Sequence, residues 1–112
     1  MSTITPKPLG QGQLGTGSTT IYTVPASTTG VVRTLTICNN DTVARTMQLC
    51  KVPNGGSLSD ATAIIPAGFV IEAGEVVEDD AVRTLAAGDS IRGLADVANK
   101  VTVTIDGAEE TA

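Results

Sequence analysis

The chain has 112 residues, of which 41% are hydrophobic and only 2% aromatic, a size and composition typical of one globular domain. Seven basic residues against twelve acidic ones give a net charge of −5, which argues against nucleic-acid and anionic-membrane partners, because both need clustered cationic side chains. No apolar run approaches the ~20 residues of a membrane-spanning helix, and residues 1–8 lack the apolar stretch of a signal peptide, so we expect synthesis in the cytoplasm.

Residues 1–18 form a segment rich in Pro, Gly, Ser and Thr, with Leu9 and Leu14 as apolar anchors. This composition excludes a helix and substantial burial. Two interpretations stay open at this point: a disordered tail, or an extended N-terminal arm that lies on a neighbouring subunit. On the second interpretation, the candidate partner-binding residues are Pro6, Pro8, Leu9 and Leu14.

From residue 19 onward the pattern changes to short runs of β-forming residues separated by turn residues. These runs are residues 19–24, 31–38, 43–52, 61–65, 69–72, 75–78, 90–95 and 101–105. They predict an all-β domain over residues 19–108, an antiparallel β-sandwich of about seven or eight short strands with jelly-roll or immunoglobulin-like topology. Residues 109–112 are expected to form an acidic C-terminal tail, and residues 81–87 have room for a single helical turn.

Two of these runs, residues 31–38 and 43–52, flank the polar turn at residues 39–42 and predict a β-hairpin. One parity of this hairpin is expected to face the core; its members are Val31, Leu35, Ile37, Val43, Met47 and Leu49. Arg33 and Arg45 share this parity, so we expect either a β-bulge or a position near the sheet edge where long side chains reach solvent.

The two cysteines, Cys38 and Cys50, have the opposite parity on the same hairpin. They lie about seven residues apart along the ribbon, on the order of 20 Å at strand rise, whereas a disulfide needs Cα atoms within ~7 Å. We therefore expect two small, partly buried thiols without an intrachain bridge. A disulfide between subunits stays open.

Three small-residue segments lie beside apolar runs and are interpreted as hairpin corners. They are residues 66–68, 73–75 and 86–89. None of them lies between a strand and a helix, so they do not predict phosphate-binding loops.

The sequence contains no histidine, which removes Ser-His and Cys-His nucleophilic catalysis and nearly all zinc chemistry. An acidic group at residues 72–80, with Glu72, Glu75, Glu78, Asp79 and Asp80, is the remaining candidate for acid–base chemistry or calcium binding. It lacks the spaced ligand pattern of a calcium loop, and solvated charges that protect strand edges are the favoured interpretation. We expect no catalytic residue, no cofactor, no metal site and no enzymatic activity.

Recognition of sugars or peptides by a β-sandwich usually relies on exposed aromatic rings. Tyr22 and Phe69 are the only aromatic residues in the sequence, and both lie in apolar runs. We expect both in the core, which disfavours a sugar-binding module.

The string at residues 14–29 (LGTGSTTIYTVPASTT), followed by residues 31–39 (VVRTLTICN), resembles small virion proteins of tailed bacteriophages. Residues 85–92 and 101–107 also resemble segments of these proteins, so the resemblance covers roughly residues 10–108. Its motifs are structural. It implies a β-sandwich displayed on a phage particle: a capsid decoration (cement) protein, or a fibre, collar or tail-associated subunit.

The resemblance also implies partners and a location. The chain would associate with itself, with a homotrimer preferred, and with other virion proteins such as the major capsid protein. The N-terminal arm would lie along the capsid or a neighbouring subunit by strand addition. The expected location is the virion, after synthesis in the host cytoplasm. A receptor- or glycan-binding module is the rival from a different class, and it would need Tyr22 or Phe69 to be exposed.

Overall fold

A computed structural model describes residues 3–111 of the chain. Within those residues it contains nine β-strands and a single 3-10 turn at Asp60–Thr62. The strands are β1 (Thr3–Gln13), β2 (Thr19–Thr23), β3 (Thr28–Asn39), β4 (Arg45–Val52), β5 (Ala63–Ile71), β6 (Val76–Asp79), β7 (Arg83–Leu85), β8 (Ser90–Ala95) and β9 (Val101–Thr111). The predicted all-β class is confirmed.

The strands form two antiparallel sheets that pack face to face as a β-sandwich. The first sheet has the order β1-β9-β3-β6, with β7 also paired to β3, and the second has the order β2-β8-β4-β5. Because β6 and β7 occupy successive stretches beside β3, they act as one interrupted strand. This gives eight strand positions in the two interlocked Greek keys of a jelly roll. The strand order therefore selects the jelly roll over the immunoglobulin-like alternative.

The core lies between the two sheets and consists almost entirely of aliphatic side chains. On β9, Val101, Val103 and Ile105 are fully buried and alternate with half-buried threonines, as the period-2 pattern predicts. They pack in one cluster with Leu14, Tyr22, Val24, Val32, Leu35, Ile37, Met47, Leu49, Ile65, Ile71, Leu85, Ile91 and Ala95. Burial of these apolar side chains is the main favourable term for the fold.

The predicted hairpin between the third and fourth strands is wrong, because β3 belongs to the first sheet and β4 to the second. The connection at residues 40–44 crosses the edge of the sandwich. The buried side chain of Asn39 holds this corner: its amide nitrogen donates to the backbone carbonyl oxygens of Val43, Ile71 and Glu72. The polar turn is thus a bridge between sheets, where a buried amide replaces backbone pairing.

The core parity of β3 also differs from the prediction. The register against β9 shifts between Val32 and Thr34, so a bulge at Arg33 turns Val32 into the core and leaves Val31 on the outer side, half-buried. This confirms the bulge as the explanation for Arg33 and corrects the assignment of Val31. Val43, also expected in the core, lies in the connection between the sheets and is exposed.

The N-terminal segment is not an arm outside the sandwich. Residues 3–13 form β1, which pairs along its length with β9 of the same chain. The C-terminal segment is likewise part of the sandwich, because β9 continues through Glu109 and Glu110 to Thr111. Residues 1, 2 and 112 of the expected arm and tail lie outside the described residues. The domain boundaries expected at residues 18 and 109 are therefore not seen as breaks in the fold.

The small-residue segments take other roles than hairpin corners. Residues 66–68 lie inside β5, so the two runs at 61–65 and 69–72 belong to one strand. Residues 73–75 and 86–89 do form turns. In each turn, the backbone N–H group of Glu75 or Asp89 donates to the carbonyl oxygen of the residue three positions earlier. Each of these turns connects strands of different sheets. Residues 83–85 form β7 in place of the helical turn.

Both cysteines are free thiols, and they lie on different sheets. Cys38 is half-buried on β3, while Cys50 is fully buried on β4. Residues 53–62 fold over the outer side of β4: the Cys50 sulfur lies 3.4 Å from the Ser59 carbonyl oxygen, and the Gln48 amide donates to Asp60 at 2.8 Å. This cover explains why outward-facing residues of β4 are buried.

Candidate interaction surface

The four residues expected to bind a partner do not form one surface. Leu14 is fully buried in the core, and Leu9 is partly buried against it. Pro6 and Pro8 are exposed on β1. Since Leu14 and Leu9 pack within their own chain, they are not available to a partner while the sandwich is folded, and Pro6 and Pro8 are what β1 presents.

The free edge of β1 is a poor template for strand addition. Its other edge is paired with β9. Pro6 and Pro8 have the same parity, and because proline has no N–H to give to a ladder, it is accepted in a sheet where that position would point away from the neighbouring strand. Two missing donors along the free edge discourage pairing with another chain. The strand addition implied by the resemblance is therefore disfavoured at β1.

The β1 and β2 strands meet along one side of the sandwich, which we call the closed side. A Cβ atom placed at Gly10 would overlap the backbone carbonyl oxygen of Ile21, and one at Gly12 would lie 3.3 Å from the Ile21 side chain. Glycine at these positions therefore allows β1 of the first sheet to approach β2 of the second. On the closed side, the backbones of β1 and β2 therefore lie close together.

A polar cluster completes the closed side. The Tyr22 hydroxyl donates to Glu109 at 2.7 Å, and the Lys7 ammonium donates to the other oxygen of the same carboxylate at 2.9 Å. Burial and the hydrogen bond to Glu109 raise the pKa of the Tyr22 hydroxyl above its usual value. The hydrogen bonds from Tyr22 and then Lys7 lower the pKa of Glu109. The cluster joins β1, β2 and β9, and both oxygens of the Glu109 carboxylate accept hydrogen bonds within the chain.

The opposite side of the sandwich, formed by β5, β6, β7 and the connections between them, is called the open side. Every residue of β5 from Ala63 to Ile71 is apolar. Large side chains remain exposed along this side: Phe69 at 36%, Val70 at 49%, Val76 at 55% and Val82 at 64%. Most of the large exposed hydrophobic residues of the described chain thus lie on the open side.

Both edge strands of the open side are interrupted. In the second sheet, Met47 and Leu49 of β4 pair with Phe69 and Ile65 of β5, so β5 has two more residues than β4 between these two pairs. Gly68 lies in this bulge with a φ of +78°, which glycine adopts without strain. In the first sheet, residues 80–82 separate β6 from β7. Such bulges prevent edge-to-edge strand pairing while leaving side chains accessible.

The acidic group at residues 72–80 lies along the open side. Asp79 is bound to Arg83 at 2.9 Å, and this hydrogen bond lowers the pKa of Asp79. The other four carboxylates, those of Glu72, Glu75, Glu78 and Asp80, are exposed. Within residues 3–111, no three His, Cys, Asp or Glu side chains are grouped so as to hold a metal ion. The four exposed carboxylates lie between Val70 and Val82 in the chain.

The two aromatic residues have different environments. Tyr22 is buried in the core, as expected. Phe69 is not: it is paired with Met47 and has the parity of the core side, but β5 is the outermost strand of its sheet. No further strand covers it, so its ring remains partly exposed.

Comparison with protein-family models and with curated proteins gives no match to this chain. In the part of the chain that the structure describes, no helix has the length and hydrophobicity needed to cross a membrane.

Proposed function

We propose that this chain is a structural protein of a tailed-bacteriophage particle, and specifically a capsid decoration protein that binds the assembled head and stabilises it. The observation that carries the proposal is the jelly-roll strand order, an architecture that recurs in viral capsid proteins. Because a fold alone does not define a function, the proposal also depends on the resemblance of residues 14–39 to virion proteins.

The surface of the domain suits a protein that acts by binding. Its polar clusters, such as Tyr22 with Glu109, are used to join strands, and its exposed apolar side chains are concentrated on the open side. A protein that binds the assembled shell and not its separated subunits stabilises the shell by mass action. The proposed partners are the major capsid protein and further copies of this chain, with a homotrimer as the preferred assembly.

The proposal is tested by heating particles assembled with and without this chain and measuring the temperature at which DNA is released. A decoration protein predicts release at a lower temperature from the deficient particles, and restoration when the purified chain is added back. Light scattering behind a sizing column gives the native mass of the free protein and tests the trimer separately.

Unchanged DNA release, together with missing tails or fibres on the deficient particles, would instead indicate the alternative role of a fibre, collar or tail-associated subunit. A receptor- or glycan-binding module is the second candidate, because the exposed ring of Phe69 is the kind of contact that such a module needs. It predicts normal particles with reduced attachment to host cells.

A further inference from the structure

We infer that the outer face of the first sheet binds a second copy of this chain, face to face, across a two-fold axis that runs parallel to the strands. The inference shares with the proposed function only the association of the chain with itself, and it gives a pair of copies in place of the preferred trimer. It does not depend on attachment to a capsid.

The outer faces of the two sheets are covered differently. Residues 53–62 fold over the outer side of β4 in the second sheet. On the first sheet, the described side chains that the registers place on the outer side are exposed or half-buried, with Ala108 as the exception. Ala108 has a short side chain between Pro6 and Val31, its neighbours on β1 and β3. The outer face of the first sheet is therefore accessible to a partner.

The strand registers define the members of this face. Val101, Val103 and Ile105 of β9 are in the core, so the residues that alternate with them point outward. Each outward residue of β9 is paired with one residue of β1 and one of β3. Three of the four central cross-strand rows contain no charged residue, as is typical of interface centres. In the order β1, β9, β3 the rows are Gln13–Thr102–Cys38, Gln11–Thr104–Thr36, Pro8–Asp106–Thr34 and Pro6–Ala108–Val31.

The central charges of this face are one cation and one anion. Arg33 lies in the bulge of β3 and is exposed, and because the inner side is core at this level, its side chain lies on the outer side. Asp106 is exposed on β9 and paired with Thr34. Within residues 3–111, neither Arg33 nor Asp106 forms an ion pair. Two further carboxylates of the face, Glu78 and Glu110, lie nearer its border.

The other cations near the first sheet do not belong to its outer face. Lys7 and Arg83 have the inward parity and are paired with Glu109 and Asp79. Lys51 approaches from β4 of the second sheet and donates to the carbonyl oxygen of Thr84 on β7. Lys100 lies in the turn before β9, at the end of the face. Arg33 is thus the cation that the face itself presents.

This charge pattern selects the symmetry axis. Sheets that pack face to face with aligned strands keep their strand directions within about 30°. A two-fold axis perpendicular to the strands at the middle of the face would place β9 over β9 of the second copy, with Asp106 against Asp106, which is unfavourable. An axis parallel to the strands, between β9 and β3, places β9 over β3 of the second copy. Asp106 then lies opposite Arg33, twice over.

The remaining rows are compatible with the same axis. Ala108 lies opposite Val31 of the second copy, which gives apolar contact next to the ion pair. The carboxylate of Glu78, on β6, lies opposite Gln11, and that of Glu110 lies opposite Thr29. No carboxylate of the face meets another carboxylate, so a second copy is complementary to this surface.

The face is large enough for a stable pair. β3 has 12 residues, and four strand positions lie side by side, which gives an area on the order of 700 Å² at ordinary strand rise and spacing. A standard interface takes about 800 Å² from each partner. The net charge of −5 on each copy acts mainly at longer range, where salt screens it beyond about 8 Å at physiological ionic strength.

The test measures association of the purified full-length chain by sedimentation equilibrium at physiological ionic strength. Arg33→Asp and Asp106→Arg each place like charges at both inferred ion pairs. The controls are Arg92→Asp on β8 and Glu72→Arg after β5, which change the net charge equally away from the face. A mixture of the Arg33→Asp and Asp106→Arg chains is also measured, because a pair with one copy of each has opposite charges at both contacts.

The expected result is a dimer of the unmodified chain and of both controls, with a dissociation constant raised about tenfold or more for each face variant alone. The mixture of the two face variants is expected to restore the dimer, which a folding defect in either chain would not allow. An unmodified chain that stays monomeric, forms a trimer, or dimerises as well as all four variants would overturn the inference. None of these outcomes changes the DNA-release result, so the proposed function stands or fails separately.

A second measurement uses the unmodified chain and needs no charge variant. In the inferred pair the two copies of Cys38 lie beside the axis, with Cα atoms about 11 Å apart from the usual sheet and strand spacings. This is too far for a disulfide but within reach of a short bis-maleimide reagent. We expect a cross-linked dimer that Cys38→Ser abolishes and Cys50→Ser retains, since Cys50 is fully buried. No cross-linked dimer, or one that persists in Cys38→Ser, would overturn the inference.

Discussion

The side-chain amide nitrogen of Asn39 lies 2.9 Å from the backbone carbonyl oxygen of Ile71, which joins the end of β3 in one sheet to the end of β5 in the other. The same nitrogen reaches the carbonyl oxygens of Val43 and Glu72, and the side-chain oxygen accepts from the Asp41 N–H at 2.9 Å. Asn39 is fully buried. One amide therefore forms hydrogen bonds with two chain segments, the connection after β3 and the end of β5, at a corner that no ladder completes.

Replacement of Asn39 by alanine is expected to lower the free energy of unfolding by about 2–4 kcal/mol, because each buried polar group left without a partner costs about 1–3 kcal/mol. Chemical denaturation followed by circular dichroism measures this change. The neighbouring Asn40 is exposed, so Asn40→Ala serves as the control and is expected to change stability by less than about 1 kcal/mol. Equal effects of the two substitutions would contradict the role given to Asn39.

A substitution at Leu14 tests whether the N-terminal segment packs within the sandwich or instead binds a partner. Since its side chain is fully buried, Leu14→Ala is expected to destabilise the isolated protein by about 2–5 kcal/mol. Ile4→Ala, at an exposed position of the same strand region, is expected to change stability by no more than about 0.5 kcal/mol. A Leu14→Ala protein with unaltered stability would restore the arm interpretation.

The same placement affects how truncation experiments are interpreted. Deletion of residues 1–18 removes strand β1 and the Leu14 side chain from the core. Weakened capsid binding by such a protein would therefore report a damaged fold as readily as a lost contact. Single surface substitutions, as on the open side, avoid this ambiguity.

The contact between Gly10 and Ile21 predicts a steric effect on the closed side. A Cβ at Gly10 would overlap the Ile21 carbonyl oxygen, so β1 must move away from β2 in Gly10→Ala, at a cost of about 1–3 kcal/mol. Gly17→Ala is the control, since nothing lies within 4 Å of a Cβ at that position. Thermal unfolding compares the two variants. A Gly10→Ala protein as stable as the Gly17→Ala protein would show that the two strands do not approach as described.

Tyr22 gives the closed side a spectroscopic probe, because it is the only tyrosine in the sequence. Its pKa is raised above the usual 10.0, first by burial and then by the hydrogen bond to Glu109. A raised folded-state pKa contributes stability that is fully present below pH 10.0 and is lost as the pH rises above it. Absorbance of the tyrosinate ion should therefore appear only as the protein unfolds at alkaline pH.

The control for this prediction is Tyr22→Phe. It removes the titrating hydroxyl, so the decline in stability above pH 10.0 should be smaller than in the unmodified chain. Tyrosinate absorbance that develops near pH 10.0 in the fully folded protein would show that the hydroxyl is accessible and not held by Glu109.

The features that sequence patterns predicted are those with a local physical cause. The alternation at Val101, Val103 and Ile105 is set by the strand period itself. The parity of Arg33 among apolar residues predicted either a bulge or an edge position, and the register shift on β3 selects the bulge. The corner at Asn39 was misassigned, because a polar turn between two β-rich runs looks the same whether the strands pair in one sheet or enter two. Only the position of Ile71, 32 residues away along the chain, distinguishes these cases.

Pairing between strands that are distant in sequence also explains why the predictions of an N-terminal arm and of a buried Phe69 were wrong. Residues 3–13 have a composition typical of a loop, and their strand conformation is due to β9, which lies almost 90 residues later. The exposure of Phe69 follows from the position of β5 at the edge of its sheet, which a single run of apolar residues does not reveal. The acidic group at residues 72–80 was correctly located on strand edges and turns.

The most direct test of the proposed function is the number of copies of this chain in each particle. Particles are purified on a density gradient from the culture that produces the chain, and peptides covering residues 34–45 and 93–100 are quantified by mass spectrometry against labelled standards and the major capsid protein. A capsid decoration protein predicts a ratio to the major capsid protein of the order of one, or a simple fraction of it, as capsid symmetry requires. A content far below that of the capsid protein would contradict decoration, and absence of the chain from the particles would contradict a role as a virion protein.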